Sequence, residues 1–241
     1  MSTSDHVRPP GADPADGSWP PGWSVWHRAE TGSTNTDLLD AADRLVDRTV
    51  LLTDHQTAGR GRLDRRWDAP AGTNLLVSIL FRTVPDAPGE LTRRVGLAVV
   101  RAVDALGVGV AGLKWPNDVV SDGAKLAGIL AQRAPNGAVV VGVGLNVGWA
   151  PDGAALLGGG HRPADVLGAV LVAYDELPTD ITDEYRSRLV TLGMRVRVER
   201  PADVLTGTAI DVEPDGRLVV LDECAVTHRL DVGDVVHLRP A

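Results

Sequence analysis

Residues 111–148 read AGLKWPNDVVSDGAKLAGILAQRAPNGAVVVGVGLNVG and contain three apolar segments separated by two short polar turns. Ser-Asp-Gly at 121–123 and Pro-Asn-Gly at 135–137 are typical of the tight turns between antiparallel strands, because Asn, Asp and Gly tolerate the backbone angles of such turns. The segments at 108–120, 125–134 and 138–148 are therefore predicted to form an antiparallel meander.

The chain before the meander shows helix and strand patterns in turn. Thr34 and Asp37 fit a Ser/Thr-x-x-Asp/Glu capping pattern, and apolar residues follow at helical spacing. A short apolar run at 49–53 and an alternating run at 74–82 predict two strands. Between the second strand and the meander, residues 90–107 predict a helix that ends at a glycine. The pattern indicates an α/β domain.

After the meander, the residue pattern of the chain changes twice. A glycine-rich segment at 150–163 predicts a mobile loop, and helical patterns follow at 164–177 and 180–193. From Met194 onward, short alternating segments with tight turns predict a small all-β module, a barrel. Three regions result: a disordered Pro/Gly/Asp-rich tail over 1–22, a main domain over 23–192 and the β module over 193–241.

The composition excludes several classes of protein. A formal net charge of -8 and a pI near 5.2 argue against general nucleic-acid binding, which needs a broad basic face. A single cysteine, Cys224, excludes a disulfide framework and suits a reducing cytoplasm. No apolar run approaches the roughly 20 residues of a membrane span, and the N-terminus lacks the apolar core of a secretory signal. We therefore expect a cytoplasmic location.

One segment reverses the acidic trend. Residues 58–67 read AGRGRLDRRW and place four arginines beside two glycines. Most clusters of this kind are solvated loops. A second interpretation is a glycine-hinged loop that closes on a small polyanion, since guanidinium groups bind carboxylates and phosphates with two parallel hydrogen bonds.

The chain also avoids certain polar residues. Of its 24 basic residues only Lys114 and Lys125 are lysine, and glutamine occurs only at Gln56 and Gln132. Where such residues do occur, chemistry is more often the reason. Most of them lie in the central block that also holds the arginine loop; the asparagines are Asn35, Asn74, Asn117, Asn136 and Asn146.

Each motif alone has an ordinary structural explanation. GSTN at 32–35 is typical of a helix cap, and KWPND at 114–118 is typical of a turn. GVGLNVG at 142–148 resembles a dinucleotide fingerprint only loosely, because its third glycine is misplaced and no helix follows; a closely packed strand explains it as well. The arginine loop is not a Walker loop, because Gly-Lys-Ser/Thr is absent.

Together, and in this order, GSTN, QTAGRGRLDRRW, KWPND with KLAGIL, and GVGLNV closely resemble the motifs of the biotin protein ligases. The resemblance runs from about residue 31 to residue 146, and the β module fits the family's small SH3-like domain. The family's loop pattern is Gly-Arg-Gly-Arg-x-Gly-Arg-x-Trp. It is matched at Gly59, Arg60, Gly61, Arg62, Arg65 and Trp67, whereas Asp64 stands where the family usually has glycine.

The resemblance implies a fold and a reaction. The fold would be a mixed sheet with helices, like that of class II aminoacyl-tRNA synthetases, followed by an SH3-like barrel. The biotin carboxylate would attack the α-phosphorus of ATP, giving biotinoyl-adenylate and pyrophosphate, and a lysine of a biotin carboxyl carrier domain would then displace AMP. Magnesium would be held mainly through substrate phosphates, not by a dedicated protein site. No DNA-binding domain and no membrane partner are expected, so the resemblance is to the monofunctional type.

The resemblance also implies roles for individual residues. Catalysis would rest on Lys125, Arg62 and Asp118. The residues implied for biotin are Ser33, Thr34, Asn35, Gln56, Gly59, Arg60, Gly61, Arg62, Lys125 and Gly128. Those implied for ATP are Arg62, Arg65, Trp67, Lys114, Asn117 and Asn146. Trp115 and Trp149 are expected to be packing residues.

Several alternatives stay open at this point. Asp118 could receive the proton of the incoming amine or could be a turn residue, and Lys114 could face phosphate or lie behind the site. Trp67 could stack on adenine or anchor the loop. Asp64 is expected to slow or weaken loop closure without abolishing it. At the level of function, the alternatives are a lipoate or octanoate ligase and a non-catalytic biotin-responsive regulator.

Overall fold

The computed structural model describes residues 8–87, 89–107, 109–199, 203–231 and 234–237, with the backbone alone at Asp64 and Asp234. The strands of the main sheet are β1 Asp13–Pro14, β2 Ser24–Thr31, β3 Thr49–Gln56, β4 Leu75–Phe81, β5 Ala111–Lys114, β6 Asp118–Ser121, β7 Ala124–Arg133 and β8 Val139–Leu145. The helices are α1 Thr34–Asp40, α2 Gly89–Ala105, α3 Pro163–Asp175 and α4 Thr182–Arg188. The C-terminal strands are β9 Arg195–Glu199, β10 Val204–Val212, β11 Leu218–Asp222, β12 Thr227–Leu230 and β13 Asp234–His237.

The main sheet is mixed and has the strand order β1-β2-β3-β4-β8-β7-β6-β5. Strands β2 and β3 are parallel and connected through α1, and the other neighbours are antiparallel. The long connection from β4 through α2 leads to the meander β5–β8, which continues the sheet beyond β4. The predicted α/β class with a mixed sheet is confirmed.

The meander has four strands where the sequence predicted three. The first predicted segment, 108–120, reverses direction at residues 115–117, so that Lys114 on β5 pairs with Asp118 on β6. Both predicted turns are present: Asp122 and Gly123 have φ values of 49° and 76°, and Gly137 has a φ of 88°. The error arose because the apolar character continues through Trp115, which conceals the turn.

Strand β4 is buried on both faces because helices cover the sheet from two sides. Its odd-numbered residues, such as Val77 and Ile79, pack with apolar residues of α2 and α3. On the opposite face Leu80 packs with Leu38 of α1. Ser78 lies on this second face and is fully buried, so it needs a hydrogen-bond partner there.

Helix α1 begins differently from the prediction. Ser33, not Thr34, is the N-cap residue, and its side chain makes no capping hydrogen bond. The carboxylate of Asp37 does not close a capping box, because it binds Arg28 at 2.8 Å and accepts from Thr31 at 2.6 Å. The tertiary ion pair with the neighbouring strand therefore replaces the local cap.

The prediction of a disordered tail over 1–22 is wrong for residues 8–22; residues 1–7 lie outside the described part of the chain. Strand β1 forms the edge of the sheet and pairs antiparallel with β2, with Asp13 opposite His27. Ala12 is only 1% exposed, and Trp19 packs against the core. Pairing the edge strand satisfies backbone groups of β2, which the composition of the segment does not reveal.

The C-terminal module is a five-stranded antiparallel sheet of order β12-β11-β10-β9-β13. A register shift between Ala209 and Asp211 bends β10, as a β-bulge does. Trp115 is buried as expected, and its indole nitrogen donates to the carbonyl of Gly216 at 2.9 Å, joining the main domain to the β10–β11 turn. Among the described residues, no helix is both long and apolar enough to span a membrane.

Candidate active site

A cavity of about 360 Å³ opens on the α1 face of the main sheet, over strands β4, β7 and β8. The arginine loop covers it, and the loop after β8 borders its far end. Fourteen residues implied by the motifs line this cavity: Ser33, Thr34, Asn35, Gln56, Arg60, Gly61, Arg62, Arg65, Trp67, Asn117, Asp118, Lys125, Gly128 and Asn146. Motifs that are up to about a hundred residues apart therefore meet at one place.

Two implied residues lie outside the cavity lining. Lys114 lies on β5, where its charge acts on His237 of the C-terminal module instead. Gly59 is buried behind the loop, and a Cβ atom there would overlap the carbonyl oxygen of Trp67. Glycine at position 59 therefore lets the two ends of the arginine loop come together and does not present a group to a ligand.

The deep end of the cavity holds a chain of polar side chains. Thr34 Oγ1 lies 2.7 Å from Ser78 Oγ, which donates to Asn35 Oδ1 at 2.6 Å. Asn35 Nδ2 in turn donates to Gln132 Oε1 at 2.7 Å. The backbone N–H of Thr34 donates to Gln56 Oε1 at 2.9 Å. This end can recognise a small group that carries both hydrogen-bond donors and acceptors.

Ser78 and Gln132 belong to this network although the motifs do not contain them. Two signals were present in the sequence: Gln132 is one of two glutamines, and Ser78 interrupts an otherwise apolar strand. Neither signal identifies a partner, because both partners come from helix α1.

Glycines on β7 and β8 form the floor of the cavity. A Cβ atom at Gly142 would overlap the Asn35 side chain, and one at Gly144 would lie 2.6 Å from the indole nitrogen of Trp67. At Gly128 it would lie 3.1 Å from the Lys125 ammonium nitrogen. The glycines of GVGLNVG therefore make room for side chains of the site, which agrees with the closely packed strand and not with a dinucleotide loop.

The arginine loop is closed on itself. Gly61 N–H donates to the Arg65 carbonyl at 2.6 Å, and Trp67 N–H donates to the Gly59 carbonyl at 3.0 Å. A guanidinium nitrogen of Arg62 donates to Asn117 Oδ1 at 3.0 Å, which ties the loop to the turn between β5 and β6. Next to Asp64, Leu63 has a left-handed backbone conformation, with a φ of 55°.

Two groups of opposite charge face each other in the middle of the cavity. Lys125 Nζ lies 2.7 Å from Asp118 Oδ1, and their side chains are 41% and 23% exposed. The same ammonium group lies 5.6 Å from the centre of the Trp67 ring. Lys125 is accordingly a cation of the cavity that lies close to both a carboxylate and the indole.

The far end is built by Asn146 and the loop that follows β8. The Asn146 amide donates to the Ala155 carbonyl at 3.0 Å, and its oxygen accepts from Asn74 at 3.4 Å. Backbone hydrogen bonds from Ala155 to Lys125 and from Leu157 to Asn146, each of 2.9 Å, anchor the first half of the predicted mobile loop. Trp67 lies beside this end with its indole nitrogen buried and without a partner among the described residues.

Charged side chains give the cavity a cationic lining. Within the described ranges, no group of three or more His, Cys, Asp or Glu side chains is placed to hold a metal ion. Arginines 60, 62, 65 and 66 line the cavity together with Lys125, against the carboxylates of Asp68 and Asp118. A cavity with this excess of cations suits an anionic ligand.

Comparison with known proteins agrees with this geometry. Residues 29–148 match the Biotin/lipoate A/B protein ligase family, and residues 191–238 match the Biotin protein ligase C terminal domain family. The chain is 43% identical over 237 residues to a biotin–[acetyl-CoA-carboxylase] ligase of Mycobacterium tuberculosis, covering 88% of this chain and 88% of that protein. The chain belongs to the biotin protein ligase family.

Further members of the biotin protein ligase family extend the comparison. A biotin–[acetyl-CoA-carboxylase] ligase of Paracoccus denitrificans is 33% identical over 208 residues, covering 75% of this chain and 85% of that protein. The structure of a biotin protein ligase from Aquifex aeolicus in complex with biotin and ATP superposes with a TM-score of 0.77, covering 90% of this chain and 99% of that one. Because the sequence identity to the Aquifex aeolicus protein is 24%, this structural similarity shows a shared fold alone.

Proposed function

We propose that this chain is an ATP-dependent biotin protein ligase. It activates biotin as biotinoyl-adenylate with release of pyrophosphate, and then transfers the biotinoyl group to a lysine of a biotin carboxyl carrier domain. The observation that carries the proposal is the meeting of Arg62 and Lys125 in one cavity, between a polar deep end and the Trp67 end. These are the two cations that an adenylation needs where carboxylate and phosphate meet.

In this proposal the ureido group of biotin occupies the deep end. Ser33, Thr34 and Gln56 are compact and polar, and they line the cavity there. Asn35 plays a different part from the one first implied, because its amide is already bonded to Ser78, Gln132 and the Leu130 carbonyl. It holds the other groups in place, and its direct contact with the ligand is limited to packing.

The first half-reaction joins the two substrates near Lys125 and Arg62. A carboxylate oxygen of biotin forms a bond to the α-phosphorus of ATP, while the bond from that phosphorus to the bridging oxygen of the leaving pyrophosphate breaks. Negative charge accumulates on the phosphoryl oxygens in the transition state. Preorganised cations directed at that charge stabilise the transition state more strongly than they stabilise the bound substrates. This difference is the main source of the rate acceleration.

The ATP end of the proposal rests on Trp67 and the loop after β8. The exposed part of the indole offers a flat surface for adenine, and Asn146 anchors the loop that borders the same space. Arg65 and Asn117 also line the cavity. Magnesium belongs to the proposal as the ion that accompanies ATP, because Mg²⁺ usually binds through substrate phosphates and few protein ligands.

In the second half-reaction, Asp118 acts as a proton acceptor. The amine of the carrier lysine bonds to the acyl carbon of the adenylate, the bond from that carbon to the phosphate oxygen breaks, and AMP leaves. A free lysine amine has a pKa of about 10.4 and must lose a proton to react. Asp118 lies 2.7 Å from Lys125 and is partly exposed, so it can receive that proton while Lys125 stabilises the leaving phosphate.

The nearest alternative is a lipoate or octanoate ligase. Two observations argue against this alternative. They are the complete arginine loop and the match of residues 191–238 to the C-terminal domain of biotin protein ligases. A non-catalytic regulator is disfavoured because the chain keeps both Lys125 and the arginines of the loop.

Biotin-dependent exchange of labelled pyrophosphate into ATP tests the proposal directly. Lipoate and octanoate serve as parallel substrates, Lys125→Ala as the inactivating variant and Lys114→Ala as its matched control, since Lys114 lies outside the cavity. We expect exchange with biotin alone, lost in Lys125→Ala and retained in Lys114→Ala. Exchange with lipoate would assign the chain to the sister activity, and no exchange with any acid would contradict an enzymatic role.

A further inference from the structure

A second cavity, of about 640 Å³, lies next to the first on the other side of Arg62. It is enclosed by the N-terminal part of α2, the 115–117 turn of the main domain and the 215–217 turn of the C-terminal module. Arg62 and Asn117 line both cavities. The bond between these two side chains, 3.0 Å long, therefore stands at the boundary between them.

A buried cation faces this second cavity. Arg93 of α2 is only 5% exposed, and its Nε atom is buried without a hydrogen-bond partner among the described residues. The guanidinium carbon lies 5.7 Å from the centre of the Tyr185 ring. On another side the guanidinium group adjoins Gly216, where a Cβ atom would lie 2.8 Å from Nε. The group is thus held by an aromatic ring and a glycine, neither of which carries a countercharge.

The carboxylates near Arg93 are engaged elsewhere. Glu90 binds Arg94 at 2.7 Å, and Asp215 binds Arg217 at 2.7 Å. Their charges still act on Arg93, but burial dominates and lowers the pKa of its guanidinium group from the ordinary value. An arginine remains charged under all ordinary conditions. A buried charge without a bonded partner is costly for a fold, so a role for Arg93 toward a ligand is the simplest reason for the arrangement.

The charges around the second cavity favour an anion. Three guanidinium groups line it, those of Arg62, Arg93 and Arg217, together with the carboxylates of Asp215 and Asp231. Among the residues that the structure describes, these lining groups leave a balance of one positive charge. Arg217 is paired with Asp215, whereas the Nε atom of Arg93 has no hydrogen-bond partner among the described residues.

We propose that the second cavity is an oxyanion site that receives the pyrophosphate group as it leaves ATP, with Arg93 as its buried cation. The inference rests on the proposed function, which puts the α-phosphate near Arg62. In an in-line displacement the leaving group departs on the side opposite the attacking carboxylate. With biotin in the first cavity, departure past Arg62 leads into the second one, where the planar fork of a guanidinium group can bind phosphate oxygens.

The test is a comparison of pyrophosphate binding between the wild-type chain and Arg93→Met. Magnesium pyrophosphate is titrated calorimetrically into the full-length protein, with Arg44→Met as control, because Arg44 is exposed and lines neither cavity. We expect the dissociation constant for pyrophosphate to rise by about tenfold or more in Arg93→Met, since a hydrogen bond to a charged group is lost. Affinity for biotin should stay the same, and Arg44→Met should behave like the wild type.

Thermal unfolding separates this role from a structural one. If Arg93 serves a ligand, then Arg93→Met in the absence of pyrophosphate should have an unchanged or higher Tm, because an unpaired buried charge has been replaced by an apolar side chain of similar length. A lower Tm together with unchanged pyrophosphate affinity would overturn the inference. Sulfate that binds as tightly as pyrophosphate at the same ionic strength would also overturn it.

Two further outcomes keep this inference distinct from the proposed function. If Arg93→Met binds pyrophosphate normally but transfers biotin to the carrier more slowly, the cavity serves the carrier and the inference is wrong while the ligase function stands. If the wild-type chain shows no biotin-dependent pyrophosphate exchange yet binds pyrophosphate through Arg93, the proposed function fails and the oxyanion site remains.

Discussion

Asn35 Nδ2 donates to Gln132 Oε1 at 2.7 Å, at the edge of the first cavity. The Leu130 carbonyl accepts from the same amide at 3.2 Å. Two acceptors on one side fix the orientation of the Asn35 amide, so its oxygen must face Ser78 and accept the Ser78 proton. The proton of Ser78 is then committed to Asn35, and the Thr34 hydroxyl lies within hydrogen-bond distance of two acceptors, Ser78 Oγ at 2.7 Å and Gln56 Oε1 at 3.1 Å. Gln132 does not line the cavity itself, yet it sets the direction of the hydrogen bonds within it.

We therefore expect Gln132→Leu to weaken biotin binding without affecting ATP. The loss of one hydrogen bond in a buried network suggests a rise in the biotin dissociation constant of about five- to tenfold. Gln132→Glu keeps an acceptor for Asn35 and should restore most of the affinity. Equal loss of biotin and ATP affinity in Gln132→Leu, measured by calorimetry, would indicate general damage to the fold instead.

Asp118→Asn should separate the two half-reactions. The asparagine cannot receive the proton of the carrier amine, so we expect transfer from preformed biotinoyl-adenylate to slow about 100-fold, in the usual range for loss of a general base. Pyrophosphate exchange, which needs no base, should fall much less. Single-turnover transfer and steady-state exchange measure the two steps. If both fall equally, then Asp118 acts by holding Lys125 in place.

Gly144→Ala should weaken ATP binding and leave biotin binding intact. The added methyl group would lie 2.6 Å from the Trp67 indole nitrogen and must displace the ring. Gly32→Ala is the matched control, because a Cβ atom there meets no atom within 4 Å. We expect the affinity for ATP to fall about tenfold in Gly144→Ala, because the displaced indole would lose one stacking contact with adenine. Unchanged ATP affinity would show that Trp67 only anchors the loop.

Ala12→Asp should destabilise the protein. Ala12 is 1% exposed, so a carboxylate there would be buried without a partner, at a cost of about 2–4 kcal/mol in the free energy of unfolding. Asp13→Ala removes only an exposed ion pair with Arg8 and should change stability by less than about 1 kcal/mol. Denaturant unfolding compares the two variants. A neutral Ala12→Asp would mean that the N-terminal segment is not docked in solution.

The stability of the chain should decrease in mild acid, partly through His237. Burial, with a further contribution from the charge of Lys114, lowers the pKa of His237 below its ordinary value. The folded state thus prefers the neutral ring, so its contribution is complete above the unfolded pKa of about 6.5 and is lost as the pH falls below that value. The fall in Tm from pH 7.5 to 5.5 should be smaller in His237→Gln. An identical fall in both proteins would contradict this assignment.

The periodicity and turn chemistry of the sequence predicted most elements of the fold, because these signals act over a few residues. Strands β3 and β4 and helices α2 and α3 follow directly from apolar spacing, and the turns at 121–123 and 135–137 follow from Asp, Asn and Gly. The rarity of lysine and glutamine also directed attention to Lys125 and Gln56, both of which line the cavity. In these cases local preference and the tertiary fold agree.

What the sequence by itself determined about this protein is its family, its α/β character and the set of polar residues that could do chemistry. Only the tertiary structure decided which of them meet. The order β4-β8-β7 brings Ser78 and Lys125 to one cavity, whereas Lys114 on β5 does not line it. Likewise, pairing with β2 orders a segment whose composition predicts disorder. Strand order and edge pairing arise from contacts between distant parts of the chain, which no short-range pattern in the sequence records.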